Sequence, residues 1–557
     1  MSRIFNEFFT RIASNLVNLL PSPSGIFSTT SATFREFYRK KGIRGPSFTL
    51  MPVSRHFVFQ QLDSFDPRKS TGLDDVSPRF LKDGATVLAE PLCHIINMSI
   101  LTETVPSELK KAKVIPLFKK GSRLDPGNYR PVSILSAISK VLERAVNSQL
   151  VSHLNSRNLL YKYQSGFRNK YSTETCLISL TDYIKGEVKK GNMVGMVLID
   201  LRKAFDTVDG EILLQKLAAM GVTSLDWFRS YLFNREQCTQ VEGTNSSFLQ
   251  VTCGVPQGSI LGPTLFLCYV NDLSTCLNCH LSLYADDSAL IFSGNDVDSI
   301  SQFLSRELSM CKKWLTDNRL SLHVGKTESI LFGTSRKIKK AGGFDVKCDG
   351  ESVLRVTSVV YLGVRLDQCL NFDQYINKVC SDANNRLSFL FRYSSILDFP
   401  TRKLVCTSLI LSKLSYCTSA WYSGLGIGLR SRLDVIQRKM VRYVNGWGPR
   451  EHVGESEISS TGWLTYSRHA LFSQLCHFFK ARIGLAPSYL SDDLCPMQQA
   501  HNHNTRGSDF NYFVDTQKFP PGTFHHAVVR GWNKLPQELK GIPTLALFKK
   551  RLRQYMS

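Results

Sequence analysis

Residues 193–201 read MVGMVLIDL, an almost unbroken apolar stretch that contains a single carboxylate, Asp200. The short length of this stretch and its content of valine and isoleucine predict a buried β-strand. A carboxylate at the end of such a strand is costly unless it is paired or bound to a metal ion. Asp200 is therefore the first candidate for a chemical role.

A second apolar segment carries two further carboxylates. Residues 281–292 read LSLYADDSALIF and predict a β-hairpin, whose turn contains Ala285, Asp286 and Asp287. Three carboxylates at two such strand ends could hold two divalent ions about 3.5–4 Å apart, which stabilise the attacking and leaving oxygens of a phosphoryl displacement. Mg²⁺ prefers one or two carboxylates together with substrate phosphates. An isolated Asp-Asp pair more often belongs to an ordinary turn, so the choice between a metal site and a turn depends on the surrounding sequence.

The surrounding sequence predicts a mixed α and β chain. After Asp200, a helix with one apolar face is expected to end at Gly221. The residues of that apolar face are Ile212, Leu213 and Leu217. Further helices are predicted at 5–19 and 300–315, and further strands at 114–118, 328–332 and 357–364. Beyond residue 371 the pattern is mainly helical and basic.

The charge balance indicates a polyanionic partner. The chain has 69 basic and 46 acidic residues, a formal net charge of +23. Binding of a nucleic acid by such a surface is favoured because each neutralised phosphate releases a condensed counterion. Basic residues flank the predicted strand 114–118 and suit a groove that follows a nucleic-acid backbone; they are Lys110, Lys111, Lys113, Lys119, Lys120 and Arg123. A solvated charge run, a passive nucleic-acid binder and an anionic membrane surface are the alternatives.

Cysteine use and hydropathy predict an intracellular protein. The 15 cysteines are scattered, which favours free thiols in a reducing compartment. No apolar run approaches the ~18 residues that a membrane span requires. We therefore expect a location in the nucleus or in a cytoplasmic ribonucleoprotein, without secretion or membrane binding. Two short motifs lack supporting context: the haem-attachment-like Cys276-Leu-Asn-Cys279-His280, and the HNH-nuclease-like His501-Asn-His503.

The chain resembles the reverse transcriptase family in several blocks that follow the family's order and spacing. The blocks are NYRPVSILS (128–136), QSGFRNKYST (164–173), LIDLRKAFDTVD (198–209), GVPQGSILGP (254–263), YADD (284–287), GKT (325–327) and YLG (361–363). The resemblance spans about residues 60–375. The third and fourth blocks are similar to the jockey-like, LINE-type branch, which is encoded by retrotransposons without long terminal repeats (non-LTR).

The resemblance implies an α+β right-hand polymerase with a mainly helical C-terminal extension. The implied domains are an N-terminal extension or linker (1–65), fingers (66–195), palm (196–370), thumb (371–450) and a helical basic tail (451–557). The tail's basic and aromatic residues could stack on bases, or its aromatic residues could fill the core of a packed helical domain. A nuclease domain is not visible, so we expect nicking of target DNA to need a separate or upstream endonuclease.

The resemblance also implies a role for each motif residue. Asp200, Asp286 and Asp287 correspond to the catalytic ligands of two Mg²⁺ ions, for which Mn²⁺ could substitute. Asp206 is expected to stabilise a helix start. Phe205 corresponds to the ring that excludes a 2′-hydroxyl from the nucleotide site, with a buried core phenylalanine as the alternative.

The remaining motif residues are expected to bind the nucleotide or the primer. The nucleotide-binding candidates are Phe205, Gln257, Gly258, Arg168, Arg130 and Lys326. The primer-binding candidates are Tyr284, Tyr361, Leu362 and Gly363. The alternative for Tyr284 is a core aromatic role, and the alternative for the charged and amide side chains is a surface salt bridge or an ordinary loop contact.

The expected function is RNA-directed DNA polymerisation by two-metal nucleotidyl transfer. Its partners would be an RNA template, a DNA primer and deoxynucleoside triphosphates. Two other classes are considered: a catalytically inactive, domesticated nucleic-acid-binding protein, and an intron maturase-like RNA-binding protein. The presence of all three carboxylates argues against the first, and the LINE-like tail argues against the second.

Overall fold

The computed structural model describes residues 1–19, 34–43, 45, 47–500 and 510–557. The described chain forms two compact units, each built from several segments. The first unit contains residues 1–167, 199–278 and 307–324, and the second contains residues 168–198, 279–306 and 325–557. The HNH-like stretch at His501 and His503 lies outside the described residues.

Helices account for most of the regular structure. In chain order they are α1 (Ser2–Asn18), α2 (34–40), α3 (Arg55–Asp63), α4 (Pro78–Asp83), α5 (Ala85–Leu101), α6 (Ala137–Ser156), α7 (Thr173–Lys189), α8 (Gly210–Ala219), α9 (Leu225–Leu232), α10 (Leu261–Val270), α11 (Val297–Asp317), α12 (Ser335–Lys340), α13 (Asp373–Phe391), α14 (Phe399–Cys406), α15 (Ser412–Leu414), α16 (Thr418–Trp421), α17 (Ile427–Asn445), α18 (Glu455–Ser460), α19 (Tyr466–Arg482), α20 (Ser488–Ser491), α21 (Met497–Ala500), α22 (Phe524–Asn533), α23 (Gln537–Lys540) and α24 (Leu545–Met556). Of the helices in the described part of the chain, none is long and apolar enough to cross a membrane.

The strands are short and fall into several sheets. They are β1 (Lys111–Phe118), β2 (Tyr129–Ile134), β3 (Met193–Ile199), β4 (Arg235–Val241), β5 (Thr244–Asn245), β6 (Leu249–Val251), β7 (His280–Tyr284), β8 (Asp287–Gly294), β9 (Glu328–Phe332), β10 (Lys347–Cys348), β11 (Glu351–Ser352), β12 (Leu354–Arg355), β13 (Ser358–Tyr361), β14 (Val364–Asp367), β15 (Cys495–Pro496) and β16 (Tyr512–Phe513). The predicted mixture of helix and strand is confirmed.

The first unit contains a five-stranded sheet with the order β2-β1-β4-β5, in which β6 also pairs with β4. Strands β1 and β2 are antiparallel, whereas β1 and β4 run parallel, with Lys111 opposite Glu236. The strand predicted at 114–118 is the C-terminal part of β1 and is confirmed. Lys119, Lys120 and Arg123 follow it and are exposed.

Helix α1 packs against this sheet. Phe5 and Phe9 on its apolar face are buried and form a core cluster with Val114 of β1. The Asn6 side chain donates to the Ser247 carbonyl at 2.9 Å and accepts from the Thr239 hydroxyl at 3.2 Å. The predicted N-terminal amphipathic helix is confirmed, and its apolar face belongs to the core of the first unit.

The second unit contains a five-stranded sheet with the order β12-β9-β3-β8-β7. Its central strand, β3, is the predicted apolar stretch, and β7 and β8 form the predicted hairpin. Gly195 of β3 permits close packing of α11, because a Cβ at this position would lie 2.5 Å from Cγ2 of Ile300. The predictions of this strand and this hairpin are confirmed.

The strand predicted at 357–364 is a second hairpin in the structure. Strands β13 and β14 are antiparallel, and Tyr361 lies opposite Val364. The two residues between them, Leu362 and Gly363, have φ angles of 47° and 80°. Two successive positive φ angles are the mark of a type I′ turn, which reverses the chain where the sequence pattern predicted continued extension.

The C-terminal helices of the second unit enclose an aromatic core. Phe479 stacks on Phe548 at 4.2 Å, and Phe478 lies 4.8 Å from Trp532. All four rings are fully buried. These four rings therefore fill a packed helical core, whereas Phe513 and Tyr555 in the same part of the chain are exposed.

Candidate active site

The hairpin formed by β7 and β8 turns through two residues, Ala285 and Asp286, because Tyr284 pairs directly with Asp287. Ala285 is buried and has a φ of +57°, an unusual conformation for a residue that is neither glycine, asparagine nor aspartate. Such conformations cost on the order of 1–3 kcal/mol and cluster at functional sites. Asp286 and Asp287 are both exposed. The strained turn thus presents two adjacent carboxylates to solvent.

A buried polar cluster supports the hairpin from behind. The Ser282 hydroxyl of β7 lies 3.2 Å from the Tyr361 hydroxyl and 3.4 Å from the Cys176 thiol. Burial raises the pKa of Tyr361 well above its ordinary value. Tyr361 is therefore a core residue that joins β13 to the hairpin, and its side chain is 2% exposed.

The turn after Tyr361 is accessible, in contrast to Tyr361 itself. The Tyr416 hydroxyl donates to the Leu362 carbonyl at 2.9 Å. A Cβ on Gly363 would lie 3.2 Å from Cε1 of Tyr416, so the ring and the glycine are in close contact. No local sequence signal marks Tyr416, because its partner Leu362 is 54 residues away.

Tyr284 and Arg168 are both partly buried in the second unit. Burial raises the pKa of the Tyr284 hydroxyl and lowers that of the Arg168 guanidinium. The Arg168 guanidinium lies 4.1 Å from the centre of the Tyr171 ring, which packs edge-on against Tyr489. Lys326 is exposed at the end of a short 3₁₀ turn. Arg168 is thus seated on aromatic rings that the sequence analysis did not connect with it.

Asp200 directly follows β3 and belongs to the first unit by its contacts. Its carbonyl accepts a hydrogen bond from the His323 amide at 2.8 Å, and the next residue, Leu201, forms a β-bridge with Leu322. The backbone on which Asp200 lies is therefore fixed on both sides. The Asp200 residue itself retains partial exposure.

Phe205 has one face against the core. Its ring stacks on the fully buried Phe266 at 4.3 Å and meets the exposed Phe167 edge-on at 6.0 Å. Phe205 remains partly exposed. The residue thus combines a core contact with ring surface that stays accessible.

Gln257 and Gly258 form a loop that is fixed to two neighbouring segments. The Gln257 side-chain amide donates to the Asp206 carboxylate at 2.7 Å, and the Gln257 carbonyl accepts from the Ser133 amide at 2.8 Å. Gly258 has a φ of +122°, and a Cβ there would lie 2.3 Å from the Ser133 carbonyl oxygen. A side chain at position 258 is therefore excluded by both backbone conformation and space.

Asp206 binds this loop and does not cap a helix, so the expectation of a role at a helix start is wrong. The cap of α8 is Asp209, whose carboxylate accepts from the amides of Glu211 and Ile212 at 2.9 and 3.0 Å. Burial raises the pKa of Asp206, while the hydrogen bond from Gln257 opposes that shift.

A buried glutamate that the sequence analysis missed holds the same loop from its other end. The Glu143 carboxylate accepts from the Ile260 amide at 2.6 Å and from the Tyr231 hydroxyl at 2.8 Å. Ile260 immediately precedes α10, so the carboxylate lies at the positive end of a helix. Burial nevertheless raises the pKa of Glu143. From the sequence alone, Glu143 is one acid on an amphipathic helix and carries no distinguishing signal.

Arg130, a further nucleotide-binding candidate, is exposed on β2 of the first unit. It lies opposite Leu117 of β1, which is also exposed. The edge of this sheet thus presents a guanidinium together with the basic residues that follow β1.

The described residues contain no group of three or more His, Cys, Asp or Glu side chains arranged to hold a metal ion. Asp286 and Asp287 do supply adjacent, exposed carboxylate oxygens. Oxygen is the ligand type that Mg²⁺ prefers, and Mg²⁺ usually takes its remaining ligands from water and substrate phosphates. The donor chemistry of the hairpin turn therefore fits a hard divalent cation.

Comparison with known proteins shows which family part of the chain resembles. Residues 117–366 match the family described as reverse transcriptase (RNA-dependent DNA polymerase), a range that includes every predicted site residue. The chain is 26% identical over 419 residues to a probable RNA-directed DNA polymerase from transposon BS of Drosophila melanogaster. That alignment covers 72% of this chain and 45% of the relative. It is also 26% identical over 414 residues to the RNA-directed DNA polymerase from mobile element jockey of Drosophila funebris, covering 71% and 44%. The chain spans less than half the length of these relatives.

Proposed function

We propose, from the premise that residues 117–366 are a reverse transcriptase domain, that this chain is an RNA-directed DNA polymerase which copies the RNA of a non-LTR retrotransposon into DNA. Its partners would be an RNA template, a DNA primer and deoxynucleoside triphosphates. The observation that carries the proposal is the exposed Asp286-Asp287 pair on a strained hairpin turn within this domain.

Asp200 is proposed to act together with Asp286 and Asp287. Asp200 directly follows β3, and β3 is the neighbour in the sheet of β8, which begins at Asp287. The assignment is supported by the resemblance of the blocks that contain the three carboxylates, 198–209 and 284–287, to the family that residues 117–366 match. The chemistry that Mg²⁺, or Mn²⁺ in its place, supplies when bound there is charge stabilisation at the attacking and leaving oxygens.

The other candidate residues would position the reactants. Arg168 and Lys326 are cations suited to the triphosphate, and an arginine can hold phosphate oxygens bidentately. Arg130 would bind the same substrate or the template strand, in keeping with its exposure on β2. Gln257 and Gly258 would let the nucleotide approach a rigid backbone that the Asp206 carboxylate and the Ser133 amide hold in place.

The sugar and the primer would be held by accessible ring and turn surfaces. Phe205, stacked on Phe266, would contact the deoxyribose and exclude a 2′-hydroxyl. Tyr284 and the Leu362-Gly363 turn would contact the primer end, with Tyr416 fixing the turn. Because the Tyr361 side chain is buried, its proposed contribution is to hold that turn in place.

The domain arrangement implied by the resemblance remains part of the proposal. Fingers at 66–195, palm at 196–370 and thumb at 371–450 would surround the nucleic acid. A separate or upstream endonuclease would cut the DNA from which synthesis is primed, and the protein would act in the nucleus or in a cytoplasmic ribonucleoprotein.

Primer extension on matched RNA and DNA templates tests the proposal. The Asp200→Asn and Asp286→Asn variants should each lose extension by a factor of about 10³ or more, because these carboxylates act on charge that develops in the transition state. Template–primer affinity should persist, since phosphate contacts supply it. Asp226→Asn, a change of an exposed acid in the first turn of α9, is the matched control and should retain activity.

The opposite outcome would favour one of the other two classes. A wild-type chain that binds RNA in a salt-dependent way but never extends a primer would be an inactive nucleic-acid-binding protein. Selective binding of a folded intron RNA, again without extension, would favour the maturase-like function.

A further inference from the structure

Helix α7 lies within the second unit among three groups of contacts. One comes from α16, a second from the described residues of the C-terminal segment, 466–557, and a third from the β7–β8 hairpin that carries Asp286 and Asp287. The matched reverse transcriptase range ends at residue 366, so the C-terminal segment lies outside it. The polar contacts of α7 show how this segment is attached to the helix.

Asp182 of α7 binds the start of α22. One carboxylate oxygen accepts from the Phe524 amide at 2.8 Å. The other accepts from the His525 amide at 3.0 Å and lies 2.8 Å from the His525 ring Nδ1. The side chains of Asp182 and His525 are only 3% and 4% exposed. A carboxylate this deeply buried depends on its partners, and all of these partners belong to the C-terminal segment.

Two more charged residues of α7 have their partners outside the helix. The Glu174 carboxylate accepts from the Ser419 amide at 2.8 Å and lies 3.0 Å from Nε2 of His477. Burial alone would raise the pKa of Glu174, but the hydrogen bonds from His477 and Ser419 outweigh burial and lower it. Lys185 donates to the Gly522 carbonyl at 2.7 Å. The C-terminal segment therefore contacts α7 from Glu174, near the start of the helix, to Lys185, near its end.

The same helix touches both strands of the hairpin. The Cys176 thiol lies 3.4 Å from the Ser282 hydroxyl of β7. The Tyr183 ring stacks on His280 of β7 at 5.0 Å, and its hydroxyl lies 3.3 Å from the Ser293 hydroxyl of β8. A shift of α7 would therefore be transmitted to the strands that end at the two carboxylates.

We infer that the C-terminal segment positions the β7–β8 hairpin through α7, with Asp182 and His525 as positioning residues for the polymerase reaction. This inference rests on the proposed function. Catalytic groups must be held within about 0.5 Å of their productive geometry by well-packed supporting residues. The hairpin turn contains a strained alanine and exposed acids, so its position depends on what packs behind the strands.

The inference is tested in the full-length chain with three variants. His525→Ala removes the ring donor to Asp182, whereas His525→Asn keeps a side-chain donor near the position of Nδ1. Arg482→Ala is the control, because Arg482 donates to the Lys540 carbonyl at 2.6 Å inside the C-terminal segment. Hydrogen exchange of peptides covering 280–294 is measured alongside kcat and KM for the nucleotide.

In His525→Ala, hydrogen exchange at 280–294 should rise and kcat should fall about tenfold or more, since the lost hydrogen bond involves a buried charge. KM for the nucleotide should change little, and His525→Asn should restore most of the loss in kcat and most of the protection from exchange. In Arg482→Ala, faster exchange should stay within 466–557. Faster exchange in the C-terminal segment of His525→Ala, with 280–294 unchanged, would overturn the inference.

A substitute variant and a readout that does not depend on activity cover the two cases in which His525→Ala alone would give no answer. If His525→Ala fails to fold, Asp182→Asn, which keeps the size of the side chain, takes its place with the same expected results. If the wild-type chain extends no primer, the proposed function fails, and hydrogen exchange at 280–294 still decides whether the segment positions the hairpin.

Discussion

The side-chain amide of Gln257 donates a 2.7 Å hydrogen bond to the carboxylate of Asp206. This bond fixes the orientation of the amide, because its nitrogen is committed to Asp206 and its oxygen is left on the other side. The same loop is attached to Ser133 through its backbone and to Glu143 at the start of α10. A loop held at three points can offer a nucleotide a rigid surface, which lowers the cost of binding.

Removing the Asp206 carboxylate should weaken nucleotide binding. In Asp206→Ala, we expect KM for the nucleotide to rise about tenfold, with a smaller effect on kcat, because the Gln257 amide loses its orientation. Steady-state primer extension measures both constants. Asp209→Ala is the control: it should cost about 1 kcal/mol of stability through loss of a helix cap but leave KM unchanged. Equal KM values for the Asp206→Ala variant and the wild type would refute this role.

Exchanging the Phe205 ring for a smaller side chain should relax sugar selection. Phe205→Val is expected to incorporate ribonucleotides with an efficiency at least about tenfold above the wild type, because the blocking ring surface is removed. Phe205→Tyr keeps the ring and should keep the selectivity. Competition between ribo- and deoxynucleotides on one template is the measurement. If the valine variant still excluded ribonucleotides, Phe205 would be only a core partner of Phe266.

Salt should weaken template binding steeply. Each neutralised phosphate contributes about 0.7 to the log–log slope for a single strand. In a Lys119→Gln, Lys120→Gln double variant, loss of two exposed cations next to β1 should reduce the slope by about 1.4. Affinity measured over a range of salt concentrations tests this, with Lys337→Gln in α12 of the second unit as a control. An unchanged slope would indicate that these lysines form an ordinary solvated surface.

The buried Glu143 should make stability depend on pH. Its pKa is raised in the folded state, so its contribution to stability is fully present below the unfolded pKa of about 4.3 and is lost as pH rises through the folded value. Glu143→Gln keeps hydrogen-bonding capacity and has no charge to bury. The Tm of this variant minus the Tm of the wild type should therefore increase as pH rises from about 4, because only the wild type loses stability by ionising this residue. Thermal melts across this range check the sign, and a difference independent of pH would contradict it.

Local sequence patterns predicted the elements that carry the carboxylates. The period of apolar residues gives β3, β7 and β8 directly, because a strand's pattern is contained in its own few residues. The Asp209 cap was also readable, since an aspartate stood just before the first apolar residues of α8. Assigning a helix-start role to Asp206 instead overlooked that local signal.

Contacts between distant parts of the chain could not be predicted in this way. Glu143 and Ile260 are 117 residues apart, and Asp182 and His525 are 343 residues apart. Nothing in the local sequence of either partner distinguishes such pairs from surface acids and histidines. The Leu362-Gly363 turn was expected from the resemblance of Tyr361-Leu362-Gly363 to the family's primer grip but not from the strand pattern, because β-branched residues on both sides favoured a continuous strand and only the glycine marked the reversal.

The packing of α1 has a consequence for synthesis of the chain on the ribosome. Asn6 bonds to a backbone carbonyl that lies 231 residues further along the chain. At about 5–20 residues per second, α1 therefore waits roughly 10–50 s for β4, although Val114 of β1, the core partner of Phe5 and Phe9, is made earlier. Nascent chains halted before residue 235 should bind a fluorescent hydrophobic probe or a chaperone more strongly than chains halted after residue 251 has emerged. Until β4 has been made, α1 therefore lacks part of its packing surface, and nascent chains in this interval can associate through that face.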